Sequence, residues 1–316
     1  MFWNRKNYDW VKRVCVIDSA YSLFIYFLIS TKEEIDSTFF FWANGIPETV
    51  REKFKGHSYT CMLVKSGKSI LFYRLFYKLL FSLKFPFLCS SKVIFWGHDH
   101  LYFSESVIRK HMIKIIEDGT KNYFKEKIPG TKPYWYYRIV YGPLLFRYEY
   151  CFLAPWCEAE YLTGLDMAAP CMHSSKCCYV SVKELWNTSY VDKKKYISYI
   201  YDLSLADVEY LKKFDKVLLT QPFDGSETKK IDFYRDKIRK IGDVGLIIKP
   251  HPRENTDYVK AFPHIPVFKK KIPLEILTLF GITFKYAYTV NSTSIFDLPS
   301  QTERIVWDKE FKVTSF

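Results

Sequence analysis

The tetrapeptide Lys249-Pro250-His251-Pro252 puts a cation, an imidazole and two stiff residues into four consecutive positions. It follows directly on Val244-Gly245-Leu246-Ile247-Ile248, an apolar run that reads as a short buried strand. In open α/β sheets, ligands bind beyond the carboxyl ends of strands, where loops and helix N-termini converge. Pro250 and Pro252 restrict the backbone on both sides of His251, so the ring is aimed rather than free to wander. An imidazolium in that position neutralises a leaving phosphate or hands it a proton, because histidine titrates near neutral pH. Lys249 adds charge, unless its side chain points to solvent. A second run, Tyr286-Ala287-Tyr288-Thr289-Val290, precedes Asn291-Ser292-Thr293-Ser294. Hydroxyls there suit an ordinary helix cap, and they equally suit a phosphate whose negative charge grows during reaction. Two anion-holding loops on consecutive α/β units imply a nucleotide pocket.

Two acidic loops compete to supply a general base. Glu117-Asp118-Gly119 follows an apolar stretch in the first half, and Asp224-Gly225 follows the strand ending at Thr220. Asp-Gly is also a common turn signal, so what separates a base from a turn is reach to an acceptor hydroxyl. Glu275 has the chemistry to bind ribose hydroxyls, or simply to start a helix at its positive end. His98, Asp99 and His100 form a polar loop on the acceptor side; three adjacent residues do not all face one ion from regular structure. Cys151, Cys157, Cys171, Cys177 and Cys178 gather around His173, but their spacing matches no common zinc module, and buried or idle thiols are the expectation. The chain has no Gly-rich dinucleotide fingerprint, no phosphate-binding loop ending in Gly-Lys-Ser/Thr and no Gly-x-Ser-x-Gly elbow. Dehydrogenase, P-loop nucleotidase and serine-hydrolase chemistry therefore lose ground.

The elements that must position these residues read as two α/β domains, residues 1–198 and 199–316. Strands are expected at 13–18, 38–42 and 92–96, with a buried helix over 21–29 and a helical stretch from about 104 to 116. The middle, 129–190, shows no sustained period. Residues 191–213 turn polar and helix-like, as a linker would. Strands at 216–220, 244–248 and 286–290, with a helix near 228–240, give the alternation of a parallel sheet. At 316 residues, 48% hydrophobic and 26% charged, the chain is globular and long enough for two cores. Its charge, 47 − 34 = +13, calls for an anionic partner. Nucleic acid is set aside, since no helix-turn-helix, zinc-finger or Arg-rich recognition pattern is present. The first residues lack the apolar core and cleavage site of a signal peptide, and no run reaches the roughly 18 apolar residues that span a bilayer. The expectation is a cytoplasmic protein. Within 65–92, aromatic and aliphatic residues alternate with Lys68, Arg74, Lys78 and Lys84. Such a helix lies in the interface of an anionic membrane, or packs on the sheet with its cations solvated.

Taken together, Val14 to Asp18, Glu117-Asp118-Gly119-Thr120, Leu219-Thr220-Gln221-Pro222, Lys249-Pro250-His251-Pro252, Ile272-Pro273-Leu274-Glu275 and Ser292-Thr293-Ser294 resemble the bacterial sialyltransferases of glycosyltransferase family 52, the lipooligosaccharide and capsule group. The resemblance implies a GT-B fold, with two Rossmann-like domains of mainly parallel sheet facing a central cleft. It implies inverting transfer of sialic acid from CMP-sialic acid to a sugar hydroxyl, terminal galactose being the expected acceptor, with no metal or other cofactor. His251 would contact the donor phosphate and act as acid. Lys249 and Ser292, Thr293 and Ser294 would lie along that phosphate, and Glu275 at the nucleoside. The base would be Asp224, with Asp118 kept beside it; Glu117, His98 and Asp99 would lie on the acceptor side. Asp224 is followed by Gly225 where a doubled acid is the pattern, a departure that weakens its assignment. Partners implied by the resemblance are the nucleotide-sugar donor and a glycan or glycolipid acceptor, and it permits a homodimer; contact with an anionic membrane is one of the two readings of the 65–92 helix. Rival readings are a transferase using a UDP-hexose or CDP-glycerol, and a non-catalytic basic protein of the membrane surface.

Overall fold

Two all-parallel sheets organise the chain in the computed structural model, which describes residues 7–62, 67–123, 139, 150–164, 168–222, 226–252 and 254–307. The first sheet has β1 (Arg13–Val16), β2 (Thr38–Trp42), β3 (Ser58–Thr60), β4 (Ile94–Gly97), β5 (Ile113–Ile116), β6 (Cys157–Leu162) and β7 (Cys177–Tyr179). Its order is β3-β2-β1-β4-β5-β6-β7. The second has β8 (Lys216–Leu219), β9 (Leu246–Lys249), β10 (Tyr286–Thr289) and β11 (Glu303–Val306), in the order β11-β10-β8-β9. The chain divides into two compact units, Met1–Ile197 and Ser198–Phe316.

Parallel strands covered on both faces read as continuous apolar runs rather than alternating ones. The β2 sequence Thr-Phe-Phe-Phe-Trp does so, and all five residues are buried. The helix Ala20–Ile29 is likewise apolar nearly all round, and Ser19 caps it by accepting the Ser22 N–H. The high aromatic content is spent largely inside the first unit: Phe41 meets Phe81 at 5.0 Å between ring centroids, and Phe39 meets Phe85 at 5.2 Å. The second unit has its own core, in which Leu218, Tyr234, Ile248, Tyr258 and Tyr288 take part.

One reading of the sequence is corrected and two are filled in. The stretch 104–116 is not one helix: Ser104–Ile108 is helical, Arg109 turns the chain at φ 58°, and Ile113–Ile116 is β5. Val107, Ile108, Met112, Ile115 and Ile116 recur at helical spacing by coincidence, while the β-branched isoleucines find partners in β4 and β6. The apparently aperiodic middle contributes β6 and β7. The polar, helix-like stretch 191–213 holds two helices, Val191–Ile200 and Leu205–Leu211, the second closed by a Ser204–Asp207 capping box, and the division between the two units falls within it.

In the first sheet β1 is the switch point. The chain passes outward from it through β2 and β3, then returns to the other side at β4. At such a point the loops leaving the strands diverge and leave room for a ligand.

Candidate active site

The carboxyl edge of the first sheet is built around close backbone approaches. Gly97 ends β4 at φ 107°, where a Cβ would lie 2.0 Å from the Val16 carbonyl oxygen, so only glycine lets β4 run past β1 here. Asp18, just past β1, accepts the backbone N–H groups of Ala43 and Gly45, each at 2.9 Å. That pins the loop after β2.

Gly97 delivers His98, Asp99 and His100 to this edge, and β5 delivers Glu117 and Asp118. Their roles separate by depth. Glu117 is buried and braces the edge, accepting from the Tyr123 hydroxyl, the Thr163 hydroxyl and the Thr163 N–H at 2.7 Å. Burial raises its pKa against the opposing pull of those hydrogen bonds. Asp99 is buried and accepts the Trp156 indole N–H at 2.7 Å. His98 is buried and stacks on His100 at 5.0 Å. All three residues expected on the acceptor side therefore lie beneath the surface.

The groups nearer solvent are Asp118 and His100, paired at 3.2 Å through Nε2. Burial pulls the His100 imidazole down, but Asp118 first and Asp99 second outweigh it and hold its pKa above the ordinary histidine value. Asn122 fixes the Asp118 backbone by accepting its N–H at 2.8 Å, and donates to Glu160 at 2.7 Å. Glu160 is pushed up to about 7, first by burial, with Asn122 opposing and the Asp99 charge adding. Among the described residues, His98, His100 and Asp118 bring ligand atoms within 4.8 Å of one another. The sequence argument against three adjacent ligands thus holds for Asp99, whose place in the group Asp118 takes. The cysteines are all free thiols.

The carboxyl edge of the second sheet gathers the other candidates. Thr289, Leu219 and Lys249 stand in register across β10, β8 and β9. Strands lie about 4.8 Å apart, so the loops after β9 and β10 start roughly 10 Å apart on one edge, with the β8 loop between them. His251 is two residues beyond Lys249; Ser292 is three beyond Thr289.

A residue the sequence reading passed over, Glu254, sets the His251 loop. Its buried carboxylate accepts the His251 N–H at 3.0 Å, the Tyr258 hydroxyl at 2.9 Å and the Thr220 hydroxyl, with Lys230 at 3.4 Å. The Glu254 N–H returns to the His251 carbonyl at 2.9 Å. One carboxylate thus ties the end of β8 to the loop after β9. Its signal was spacing: three residues after His251 and four before Tyr258.

Lys249 does not point to solvent; it is 6% exposed. Burial lowers its ammonium to about 8, against the opposing charge of Glu275. Glu275 stands in the first turn of the helix Leu274–Leu279, so the two residues belong to one electrostatic neighbourhood. The Ser292 N–H donates to the Thr289 hydroxyl at 3.1 Å, and the Ser292 and Ser294 hydroxyls bond to each other at 2.8 Å. The helix anticipated after them is a single 3-10 turn, Thr293–Asp297, that Ser292 does not cap with its side chain. Asp224 lies outside the described residues.

Solved structures share this arrangement of sheets. A sialyltransferase from Photobacterium phosphoreum superposes with a TM-score of 0.55 at 14% identity, covering 92% of this chain and 88% of that one. The GT-B domain of a Photobacterium damselae sialyltransferase gives 0.54 at 13%, over 93% and 90%. A 2,6-sialyltransferase from another Photobacterium, solved with CMP and lactose, gives 0.59 at 12%, over 93% and 71%. The fold is thus of the GT-B class, with two Rossmann-like domains. The profile of glycosyltransferase family 52 matches residues 26–306, and the chain belongs to that family. A protein of Haemophilus influenzae described as uncharacterized is 30% identical over 303 residues, 92% of each chain.

Proposed function

We propose that this glycosyltransferase moves sialic acid from CMP-sialic acid to a sugar hydroxyl, with inversion and without a metal, on a lipooligosaccharide or capsule glycan. The observation that carries the reading is the second sheet's carboxyl edge, where the loop of Lys249 and His251 and the loop of the Ser292–Ser294 hydroxyls flank the β8 strand end on its two sides. Family membership and the likeness to sialyltransferase folds support it.

In the proposed reaction the bond between the anomeric carbon and the phosphate oxygen of CMP breaks. Positive charge develops on the sugar and negative charge on the phosphate. The serine and threonine hydroxyls and Lys249 meet that negative charge, and His251 donates a proton to the departing oxygen. Losing one such donor typically costs about 3–4 kcal/mol in the transition state. The acceptor oxygen bonds to the same carbon from the opposite face and gives its proton to a carboxylate. Asp224 and Asp118 remain the two candidates for that base; the Asp118–His100 pair supports the second. General-base help contributes roughly 10²–10⁴-fold. Glu275 is assigned to the nucleoside.

The test is nucleotide release from CMP-sialic acid, a UDP-hexose and CDP-glycerol, each with lactose as acceptor and with or without EDTA. The expected result is CMP release alone, unchanged by EDTA and abolished in folded His251→Ala. Turnover of a different donor, restoration only by magnesium or manganese, or a fully active His251→Ala overturns it.

A further inference from the structure

The helix Gly67–Lys84 has two apolar faces, and among the described residues only one is covered. Tyr77 and Phe81 are buried in the first unit's core. On the opposite side Phe72, Leu75, Phe76, Leu79 and Leu83 recur at steps of three, four and seven residues, which is one continuous stripe along a helix. Phe72, Leu79 and Leu83 are 64–66% exposed, a large apolar surface for solvent to meet. Isolated apolar side chains on a surface need no explanation, but a stripe of five on one helix does.

The charge around it identifies what covers it. From Lys53 to His98 the sequence carries eight lysines and arginines and no aspartate or glutamate. Arg74 is spent internally on Glu105 at 3.2 Å. Lys78 and Lys84 are exposed and flank the stripe on its two sides. An apolar strip edged by cations, in a segment free of acids, complements a surface that is apolar inside and anionic at its rim. A lipid bilayer containing anionic headgroups is such a surface. No helix among the described residues is long and apolar enough to cross a membrane, so the helix would lie in the interface. A second copy of the chain would cover the stripe equally well by area. It would also press two cation-edged surfaces together, with no acid of this segment to answer them.

We infer that the helix Gly67–Lys84 docks this protein on anionic lipid bilayers through Phe72, Leu75, Phe76, Leu79 and Leu83. The inference is independent of which donor the enzyme uses. Each cation held at an anionic surface contributes about fivefold to binding.

Cosedimentation with vesicles of phosphatidylglycerol and phosphatidylcholine, against phosphatidylcholine alone, tests it. The expected result is binding at least tenfold tighter to the anionic vesicles and weakened by salt. Leu79→Glu/Leu83→Glu should lose at least tenfold while keeping the wild-type circular dichroism and melting temperature. Lys78→Gln should lose about fivefold on anionic vesicles only. Should the double variant fold poorly, Phe72→Gln at a similarly exposed position must show the same loss. Equal vesicle binding by wild type and a folded variant overturns the inference. So does absence of binding, or a wild-type dimer that Leu79→Glu/Leu83→Glu dissolves without any vesicle effect.

Discussion

Replacing Lys249 with methionine should make the protein more stable and worse at holding a nucleotide. The two side chains are close in size, but methionine brings no charge into a site that is 6% exposed. The ammonium falls from 10.5 to about 8, with burial the first cause. A displacement of that size is worth about 3 kcal/mol, since each pKa unit is about 1.4 kcal/mol. Below about pH 8 both folded and unfolded chains hold the proton, so the whole penalty acts against folding. Between about 8 and 10.5 the unfolded chain keeps a proton that the folded chain has lost, and stability rises with pH. Above 10.5 the lysine's penalty is gone.

The assay is urea unfolding of wild type and Lys249→Met at pH 7, 8, 9 and 10. At pH 7 the variant should be more stable by about 3 kcal/mol, and the gap should close toward pH 10. Taking the difference between the two proteins cancels the other groups that titrate in this range. A phosphate beside Lys249 would restore its charge, so CMP binding at pH 8.5 should take up a proton in wild type. Calorimetry in two buffers of different ionisation enthalpy reads that proton directly, and the variant should show less uptake and at least tenfold weaker CMP binding. If Lys249→Met is less stable at pH 7, or the gap does not change with pH, the burial argument fails. If the gap behaves as stated but proton uptake does not differ, Lys249 is buried but is not at the phosphate.

Glu254→Gln should be far from conservative. Thr220, Tyr258, the His251 N–H and Lys230 all address this carboxylate, and an amide in either orientation sets its own N–H against a group that only donates. A loss of about 2–3 kcal/mol is expected, with faster hydrogen exchange at His251; an unchanged melt and unchanged exchange refute it. Asp118→Asn should destabilise by about 1 kcal/mol at pH 6, because the partly exposed Asp118 pair favours charged His100. That contribution is full below the ordinary histidine pKa and is lost as pH rises through the elevated one, so urea unfolding at pH 9 should find the two proteins alike. Comparing turnover of Asp118→Asn and Asp224→Asn locates the base: the true one should lose roughly 10²–10⁴-fold and the other less than tenfold. Equal small losses in both would place the base elsewhere.

What the sequence made legible follows from chain locality. A strand that is apolar from end to end and then breaks into Pro-His-Pro reveals the strand, its end and its loop within ten residues, and β8, β9 and β10 were readable on those terms, whereas the edge strand β11, Glu303–Val306, was not. The first sheet was readable only in part. Ile113–Ile116 borrowed the period of the preceding helix, and β6 and β7 are short strands whose identity comes from lateral pairing rather than from their own pattern.

The same divide runs through the candidate site. His251, Lys249 and Ser292–Ser294 carry their signal in their immediate neighbours. The depth of a side chain carries none, because it is set by what the rest of the sheet lays over it. Glu117 and Asp118 are adjacent and chemically alike, yet one is a buried brace and the other meets His100 near the surface. Lys249 shows the consequence most sharply. Its sequence context predicts a charge, and burial makes that charge costly to hold, although the folded chain keeps the proton below about pH 8. An apolar side chain at this depth would remove that cost, and an anion beside Lys249 would offset it, which is why the stability gap and the CMP-linked proton uptake of Lys249→Met must be read together.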